Sequence, residues 1–403
     1  MYFGWNIVAL GAVVYMIVIG ATFNAFGLFV LPVSAEFGLS RANMNSGLIL
    51  LNFGNAVFAP LVGRLLDRIP ARRIMAAAAL LFGLSFVTLG LSRSLWLSAA
   101  VMAVPLAIAI SAAGTITVSA LLARWFTARR GKAMMLAAMG MSFGSIAVTP
   151  LIGWLVHAQG WRTALVILGV ASGAVLLIVT ALVRERPGEE EGRIEQPATP
   201  AGQRGASGAP MPVAAVLRMP QFWSIGISTA LVLGMAQAIS ITLVPLAVGE
   251  GLTLLQATTL ISISGGSAIA AKLLMSQVAD RIDRIILLAL LFALGALISG
   301  GFLVSRSFPA LAACAAMVGV CSGTVAPIFY ALLADRFGPT SFGTVRGLMT
   351  PVTALTGAVV VRFAGETYDR TGGYDLLFGT FAVTSLAAAA LMLATRLTQP
   401  YRG

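Results

Sequence analysis

Apolar stretches of about 20 residues recur along nearly the whole sequence of 403 residues. A helix needs about 20 mostly apolar residues to cross a bilayer. Charged residues make up only 10% of the chain, whereas soluble domains carry roughly 25%. We therefore predict an all-α membrane protein with twelve transmembrane helices. The predicted spans are 7–32, 44–64, 74–92, 95–122, 134–157, 161–183, 221–247, 254–278, 285–305, 309–333, 346–365 and 373–397.

The basic residues lie mainly in the short loops between these spans. With the N-terminus in the cytoplasm, nineteen of the 26 Lys and Arg residues fall on the inner side and five on the outer side. By the positive-inside rule we expect both chain termini in the cytoplasm. This topology explains the net charge of +12 better than a nucleic-acid partner does. The compact loops and the lack of organelle-targeting features favour a bacterial inner membrane.

The composition changes between Arg184 and Val213, where Pro, Gly, Glu and Ala replace the apolar pattern. Such a composition is typical of a flexible linker. We therefore predict a six-helix bundle over 1–183, a cytoplasmic linker over 184–216 and a second six-helix bundle over 217–403. A short surface helix over 213–222 is expected to lead into the seventh span.

The two predicted halves repeat two landmarks at nearly the same spacing, which indicates duplication. Parallel repeats about an axis along the membrane normal are a known transporter plan, with the substrate site near the midplane. The landmarks are Asp67-Arg68 with Asp280-Arg281, and Arg130-Gly131 with Arg346-Gly347.

The segment from Gly63 to Arg73 resembles the loop signature of the major facilitator superfamily, G-x-x-x-D-R-x-G-x-R-R, with Pro70 in place of a Gly. Further segments resemble the monocarboxylate transporter and oxalate:formate antiporter branch of that superfamily. They are Phe26 to Arg41, Arg124 to Gly131, Gly160-Trp161-Arg162 and Asp369 to Tyr374. The resemblance covers essentially the whole chain. It implies the major facilitator fold, in which two pseudo-symmetric six-helix bundles alternate access to a central site.

The resemblance also implies a gating role for the repeated acid–arginine pairs. In the family such a pair bonds to the facing half and latches one conformation. The gating candidates are Asp67, Arg68, Asp280 and Arg281. The alternative is that these charges only anchor helix ends among lipid headgroups. An acid inside a basic loop is not needed for anchoring, so we favour the latch.

Lys272 is the most informative single residue, because it lies in the middle of an apolar span. It precedes Asp280 by eight residues, which places it about 12 Å from the inner end of a helix. A charge at such depth costs about 2.5–3.5 kcal/mol, so it usually faces a cavity and a partner. The segment from Lys272 to Arg281 resembles the branch pattern G-R-L-L-x-G-x-x-A-D-R, whose Arg binds substrate carboxylate. Snorkelling of Lys272 towards the surface is the alternative.

Four further polar residues within spans are candidates to line a substrate cavity. They are Asn24, Thr115, Gln237 and Tyr330. Transmembrane helices also use such groups for bonds between helices. All fourteen acidic residues fall in loops or at span ends, so a deeply buried acid is not available as a proton relay.

The sequence predicts no enzyme activity, no cofactor and no metal site. It contains no Walker pattern, and Cys314 and Cys321 share one apolar span, which favours packing over a disulfide. We predict a monomeric secondary transporter of a small organic anion, a monocarboxylate or a dicarboxylate, surrounded by membrane lipid. Two alternatives stay open at this point. One is an efflux carrier for a hydrophobic compound, and the other is a membrane sensor or scaffold without transport activity.

Overall fold

The computed structural model describes residues 3–38, 41–185, 211–304 and 307–397, and these residues are almost entirely helical. Twelve of the described helices are long and apolar enough to span a membrane, so the predicted fold class is confirmed. Lipid offers backbone N–H and C=O groups no hydrogen-bond partner, so a segment inside the bilayer must satisfy these groups itself, as a helix does. We number these twelve helices α1 to α12.

The first six spanning helices are α1 (Gly4–Ile19, Gly20–Asn24 and Phe26–Phe37), α2 (Arg41–Arg68), α3 (Ala71–Leu91), α4 (Leu95–Val101, Met102–Leu106, Ala107–Ala109, Ile110–Thr115 and Ile116–Trp125), α5 (Arg130–Phe143, Gly144–Val148 and Thr149–Gln159) and α6 (Trp161–Leu182). Among them, α1, α4 and α5 contain several consecutive segments, whereas α2, α3 and α6 are each a single segment.

The remaining helices are more regular, and a short helix at Val213–Arg218 precedes them as expected. They are α7 (Pro220–Gly249), α8 (Leu254–Val278), α9 (Arg284–Val304), α10 (Phe308–Phe337), α11 (Phe342–Thr371) and α12 (Asp375–Ala394), followed by a 3₁₀ turn at Thr395–Leu397.

The described residues form two compact units. Unit 1 contains α1 to α6 and the segment Phe337–Pro351, and unit 2 contains the chain from Met211 to Arg336 and from Val352 onwards. Helix α11 is thus divided between the units. The division of the sequence at 184–216 stays a prediction, because residues 186–210 lie outside the described part of the chain.

Close helix crossings in unit 1 depend on glycine. A Cβ atom on Gly140 of α5 would lie 2.0 Å from the carbonyl oxygen of Ala12 in α1. One turn later, a Cβ atom on Gly144 would lie 2.7 Å from the carbonyl oxygen of Met16. Small residues let transmembrane backbones approach closely. Gly140 and Gly144 therefore let α5 pack closely against α1.

Unit 2 uses the same principle where α8 crosses α10. A Cβ atom on Gly319 would lie 2.0 Å from the carbonyl oxygen of Ser264, and one on Gly323 would lie 2.8 Å from that of Ala268. The hydroxyl of Ser267 donates a hydrogen bond of 2.9 Å to the carbonyl oxygen of Ala316. These contacts fix the register of the two helices.

Candidate functional site

Asp67, the acid of the loop signature, accepts two main-chain hydrogen bonds at the start of α11. The amide of Gly343 donates to Oδ1 at 3.0 Å, and the amide of Thr344 donates to Oδ2 at 2.7 Å. The first amides of a helix have no intrahelical partner, and they favour a negative charge. Asp67 therefore caps α11 from the end of α2.

The same two helices approach each other closely one turn away from that carboxylate. A Cβ atom on Gly63 would lie 2.1 Å from the carbonyl oxygen of Gly343, and one on Gly347 would lie 2.4 Å from that of Ala59. Glycine at positions 63 and 347 is what allows this distance. The approach places the start of α11 where Asp67 can reach its amides.

Asp280 stands at the repeated position in unit 2, but its contacts differ from those of Asp67. It accepts a hydrogen bond of 2.9 Å from Arg284, four residues later. Arg284 also bonds to Asp335 at the end of α10. The two signatures therefore occupy different surroundings: Asp67 caps a helix, whereas Asp280 belongs to an ion-pair cluster. Arg68 and Arg281, the other two gating candidates, are exposed.

Several residues that support the Asp67 end of unit 1 were not predicted from the sequence. Arg124 donates a hydrogen bond of 2.8 Å to the carbonyl oxygen of Leu66 and lies 3.5 Å from Glu185. Glu185 in turn accepts from the amides of Ala71 and Arg72 at the start of α3, at 3.0 and 2.6 Å. The end of α2, the start of α3 and the end of α4 are thus held by one charged cluster.

The repeated Arg130 has a structural role. Its side chain is buried, and it donates to the carbonyl oxygens of Phe126 at 2.9 Å and Ala123 at 3.1 Å. These carbonyls end α4 and lack helical partners. A cation is also favoured at a helix C-terminus. Arg130 therefore joins the start of α5 to the end of α4.

Lys272 is buried within unit 2, with 7% of its surface exposed. It lies on α8 one turn after Ala268 and two turns after Ser264, the residues that contact α10. Residues four apart share one face of a helix. The face of Lys272 therefore continues the face that packs on α10, so the side chain points into the protein rather than into lipid.

Two other candidates lie in the same unit as Lys272. The α8–α10 register runs from Gly319 and Gly323 towards Pro327 and Tyr330, and Tyr330 is half-buried. Gln237 of α7 is exposed, and its Oε1 atom would lie 3.5 Å from a Cβ atom added to Gly357 of α11. Unit 2 thus contains Lys272, Gln237 and Tyr330.

Unit 1 contains the remaining candidates, Asn24 and Thr115, and each ends a π-helical turn. Asn24 Nδ2 donates to the carbonyl oxygen of Met141 in α5 at 3.4 Å. The carbonyl oxygen of Thr115 accepts from the hydroxyl of Tyr15 at 3.5 Å. π-helical turns occur frequently at functional sites. The sequence did not signal these turns, because their residues have ordinary helical composition.

At the opposite end of unit 1 from Asp67, Glu36 joins α1 to α6. Arg162 donates to it at 2.6 Å, and Trp161 Nε1 donates at 2.9 Å. The hydrogen bond from Arg162 is the main reason why the pKa of Glu36 lies below its usual 4.5. Arg162 also donates to the carbonyl oxygen of Gly90 at 3.1 Å. Glu36 and Gly160-Trp161-Arg162 belong to two separate segments of the family resemblance, and the sequence did not predict their contact.

The fold and these motifs agree with a comparison against protein families. The family model described as Major Facilitator Superfamily matches residues 11–361. The chain belongs to the Major Facilitator Superfamily. It is therefore a multi-pass membrane protein of that superfamily, as the loop signature indicated.

Relatives of the chain include both bacterial and animal members of the superfamily. The uncharacterized MFS-type transporter YcxA of Bacillus subtilis is 26% identical over 41% of this chain and 40% of its own length. The uncharacterized MFS-type transporter YhjX of Escherichia coli is 24% identical over 82% of this chain and 80% of its own. The chain thus spans less than half of the Bacillus relative.

An animal relative bears on the predicted branch. Monocarboxylate transporter 13 of Bos taurus is 25% identical over 68% of this chain and 62% of its own length. The predicted resemblance to monocarboxylate transporters is confirmed by this relative.

Solved structures confirm the fold. The fucose:proton symporter of Escherichia coli has a TM-score of 0.73 at 13% identity, with 100% of both chains covered.

Proposed function

We propose that this protein is a secondary carrier of a small organic anion, a monocarboxylate or a dicarboxylate, with Lys272 as its cationic binding residue. The observation that carries the proposal is the burial of Lys272 within α8, about two turns before the helix ends at Val278. An intramembrane cation is expensive, and such residues mark substrate pathways more often than structural positions. The similarity to monocarboxylate transporter 13 supports the same substrate class.

Lys272 stands where the similar transporter branch has an arginine, and the two side chains hold a carboxylate differently. Its ammonium group is a compact point charge, whereas arginine offers a planar pair of donors. Lys272 therefore attracts the anion without fixing the orientation of its carboxylate. Gln237, Tyr330, Asn24 and Thr115 are the polar side chains that we assign to orienting the substrate.

Proton coupling through a buried carboxylate is not part of this proposal. The acidic residues fall at span ends or in loops, so α8 offers a cation without an intramembrane acid beside it in sequence. Exchange of one anion for another, or entry of the substrate together with its own proton, is compatible with that arrangement. No enzymatic step is assigned to the protein.

The cycle that we propose alternates access from the two sides of a bacterial inner membrane, with both termini in the cytoplasm. Asp67 holds the start of α11 against α2, and we assign this contact the role of a latch at the cytoplasmic end. Release of the Gly343 and Thr344 amides from Asp67 accompanies opening to the cytoplasm. Arg68, Asp280 and Arg281 are the other residues that we assign to gating.

The test is uptake of labelled monocarboxylates and dicarboxylates into proteoliposomes by wild type, Lys272→Ala and Lys272→Arg. Saturable uptake of one acid is expected for wild type. It is lost in Lys272→Ala and partly retained in Lys272→Arg, which keeps the charge. The matched control is Lys132→Ala, since Lys132 is the other lysine of the chain and lies 5.8 Å from the ring of Trp5.

Two outcomes would overturn the proposal. The first is uptake by Lys272→Ala at the wild-type rate, which would remove Lys272 from the binding site. The second is that no acid in the panel is taken up while the protein is folded and correctly inserted. Labelled uptake that is accelerated by unlabelled acid inside the vesicle would identify a carrier rather than a channel.

A further inference from the structure

An apolar cavity of about 380 Å³ lies inside unit 1, at the end that contains Glu36. Helices α1, α2, α3, α4 and α6 contribute its walls. Most of the lining is aromatic or aliphatic, including Phe29, Phe86 and Leu106, which are all buried. The cavity is formed entirely by unit 1, whereas Lys272 belongs to unit 2.

The polar atoms around this cavity already have partners within the protein. Thr22 donates its hydroxyl to the carbonyl oxygen of Val18, and Ser98 donates its hydroxyl to the carbonyl oxygen of Ser94 at 3.1 Å. The indole N–H of Trp161 is bonded to Glu36. Among the described lining residues there is no charged side chain. The interior therefore offers apolar surface and little to bind an anion.

The size and lining of the cavity limit what occupies it. Ligand pockets typically measure about 300–1,000 Å³ and are lined mainly by apolar and aromatic side chains. Water does not fill apolar cavities, because it finds no hydrogen-bond partners there. An empty space would leave the lining without contacts. A hydrocarbon chain fits a cavity of this size, needs no hydrogen-bond partner and restores the contacts of the lining residues.

The wall of the cavity reaches the surface of unit 1 at Trp96, which lines the cavity and is 87% exposed. Leu91 and Leu97 beside it are also exposed. Exposed apolar side chains on spanning helices lie against lipid, and Trp favours the level of the headgroups. At the same end, the Arg162 guanidinium lies 4.4 Å from the Trp161 ring centre. The cavity thus begins where acyl chains are the most concentrated apolar molecules.

We propose that this cavity binds one acyl chain of a bilayer phospholipid, which enters beside Trp96 and packs between α1 and α4. None of the residues assigned to the anion site lines this cavity. It supplies a lipid contact inside the helix bundle, in addition to those on its lipid-facing surface. The ligand is recognised by its hydrocarbon chain, since the cavity contains nothing suited to a phosphate group.

The experiment uses the full-length protein in proteoliposomes that contain a phosphatidylcholine with a diazirine in its acyl chain. After illumination, peptides that carry lipid adducts are identified by mass spectrometry. Adducts are expected on Phe29 and Leu106, which are buried and unreachable for lipid at the outer surface of the bundle. Adducts on Leu84, which is exposed on α3, report bulk lipid.

A matched pair of variants separates the cavity from its surroundings. Ala99 lines the cavity, whereas its neighbour Ala100 is exposed and does not line it. Ala99→Phe is expected to abolish the adducts on Phe29 and Leu106, and Ala100→Phe to retain them. Both variants keep the Leu84 adducts if they are folded. Ala99→Leu is the milder substitute should Ala99→Phe fail to fold.

The proposal is refuted if wild type carries adducts only on exposed residues. It is also refuted if folded Ala99→Phe labels Phe29 as strongly as wild type does. A phosphatidylcholine with the diazirine on its headgroup should leave Phe29 unlabelled, and labelling there would overturn recognition by the chain. None of these readouts depends on transport, so a failed anion-uptake assay does not affect this test.

Discussion

Removing the carboxylate of Asp67 should free the start of α11. The structure gives this carboxylate two main-chain hydrogen bonds, from the amides of Gly343 at 3.0 Å and Thr344 at 2.7 Å. A side chain that caps a helix N-terminus contributes about 0.5–2 kcal/mol, and each hydrogen bond to a charged group contributes about 1.5–3 kcal/mol. We take about 2 kcal/mol as the loss in Asp67→Ala, which corresponds to roughly a 30-fold shift in population. Asp67→Asn keeps an acceptor oxygen and should lose less.

The assay measures how fast a maleimide modifies a reporter, Val345→Cys, in a background where Cys314 and Cys321 are replaced by alanine. Val345 is buried and its side chain is not a partner of Asp67, so the reporter reacts slowly while the contact is closed and leaves the cap intact. Asp67→Ala should raise the rate roughly in proportion to the open population, by about 30-fold. Arg64→Ala is the control, since Arg64 is exposed on the same helix and its replacement removes a neighbouring charge without removing the cap. An unchanged rate in Asp67→Ala would refute the role of the carboxylate as a latch.

Two further substitutions test the packing and the charge pair of unit 1. Gly140→Ala places a Cβ atom 2.0 Å from the carbonyl oxygen of Ala12, so it should destabilise the protein by about 1–3 kcal/mol. Gly265→Ala, where the added atom meets open space, should not lower the melting temperature, and equal effects of both would contradict this reasoning. Because the Arg162 hydrogen bond lowers the pKa of Glu36 below 4.5, the folded protein gains stability above that value and loses it as the pH falls through the folded pKa. Glu36→Gln should therefore melt below wild type at neutral pH and at the same temperature in strong acid, whereas a pH-independent difference would disprove the assignment.

The architecture was predictable because it depends on a property repeated along the sequence. Each span needs only length and apolarity, and the described structure contains twelve such helices. Their ends were less predictable. The eleventh predicted span, 346–365, lies within the longer helix Phe342–Thr371. Apolarity marks the hydrocarbon region, whereas helices continue beyond it until a Gly or a loop ends them.

The candidate site was predictable only where a single residue stood out against its surroundings. The depth of Lys272 was visible as one charge in an apolar span, and its burial agrees with a side chain that faces the protein. The partners of Asp67 were not predictable, because they are main-chain amides, which every residue except proline has. The different role of Asp280 follows from Arg284, whose spacing of four residues is readable but has no counterpart after Asp67.

Four π-helical turns affect how mutational scans of this protein are to be read: Gly20–Asn24 in α1, Met102–Leu106 and Ile110–Thr115 in α4, and Gly144–Val148 in α5. Each wider turn adds one residue, and one residue corresponds to about 100° of rotation around a helix axis. Positions before Gly20 and after Asn24 in α1 therefore do not follow one continuous repeat of three and four residues. An accessibility scan that assumes such a repeat will assign residues beyond the turn to the wrong face. In α4 the same applies on either side of Ile110–Thr115. The face that each residue occupies must therefore be assigned separately for each segment.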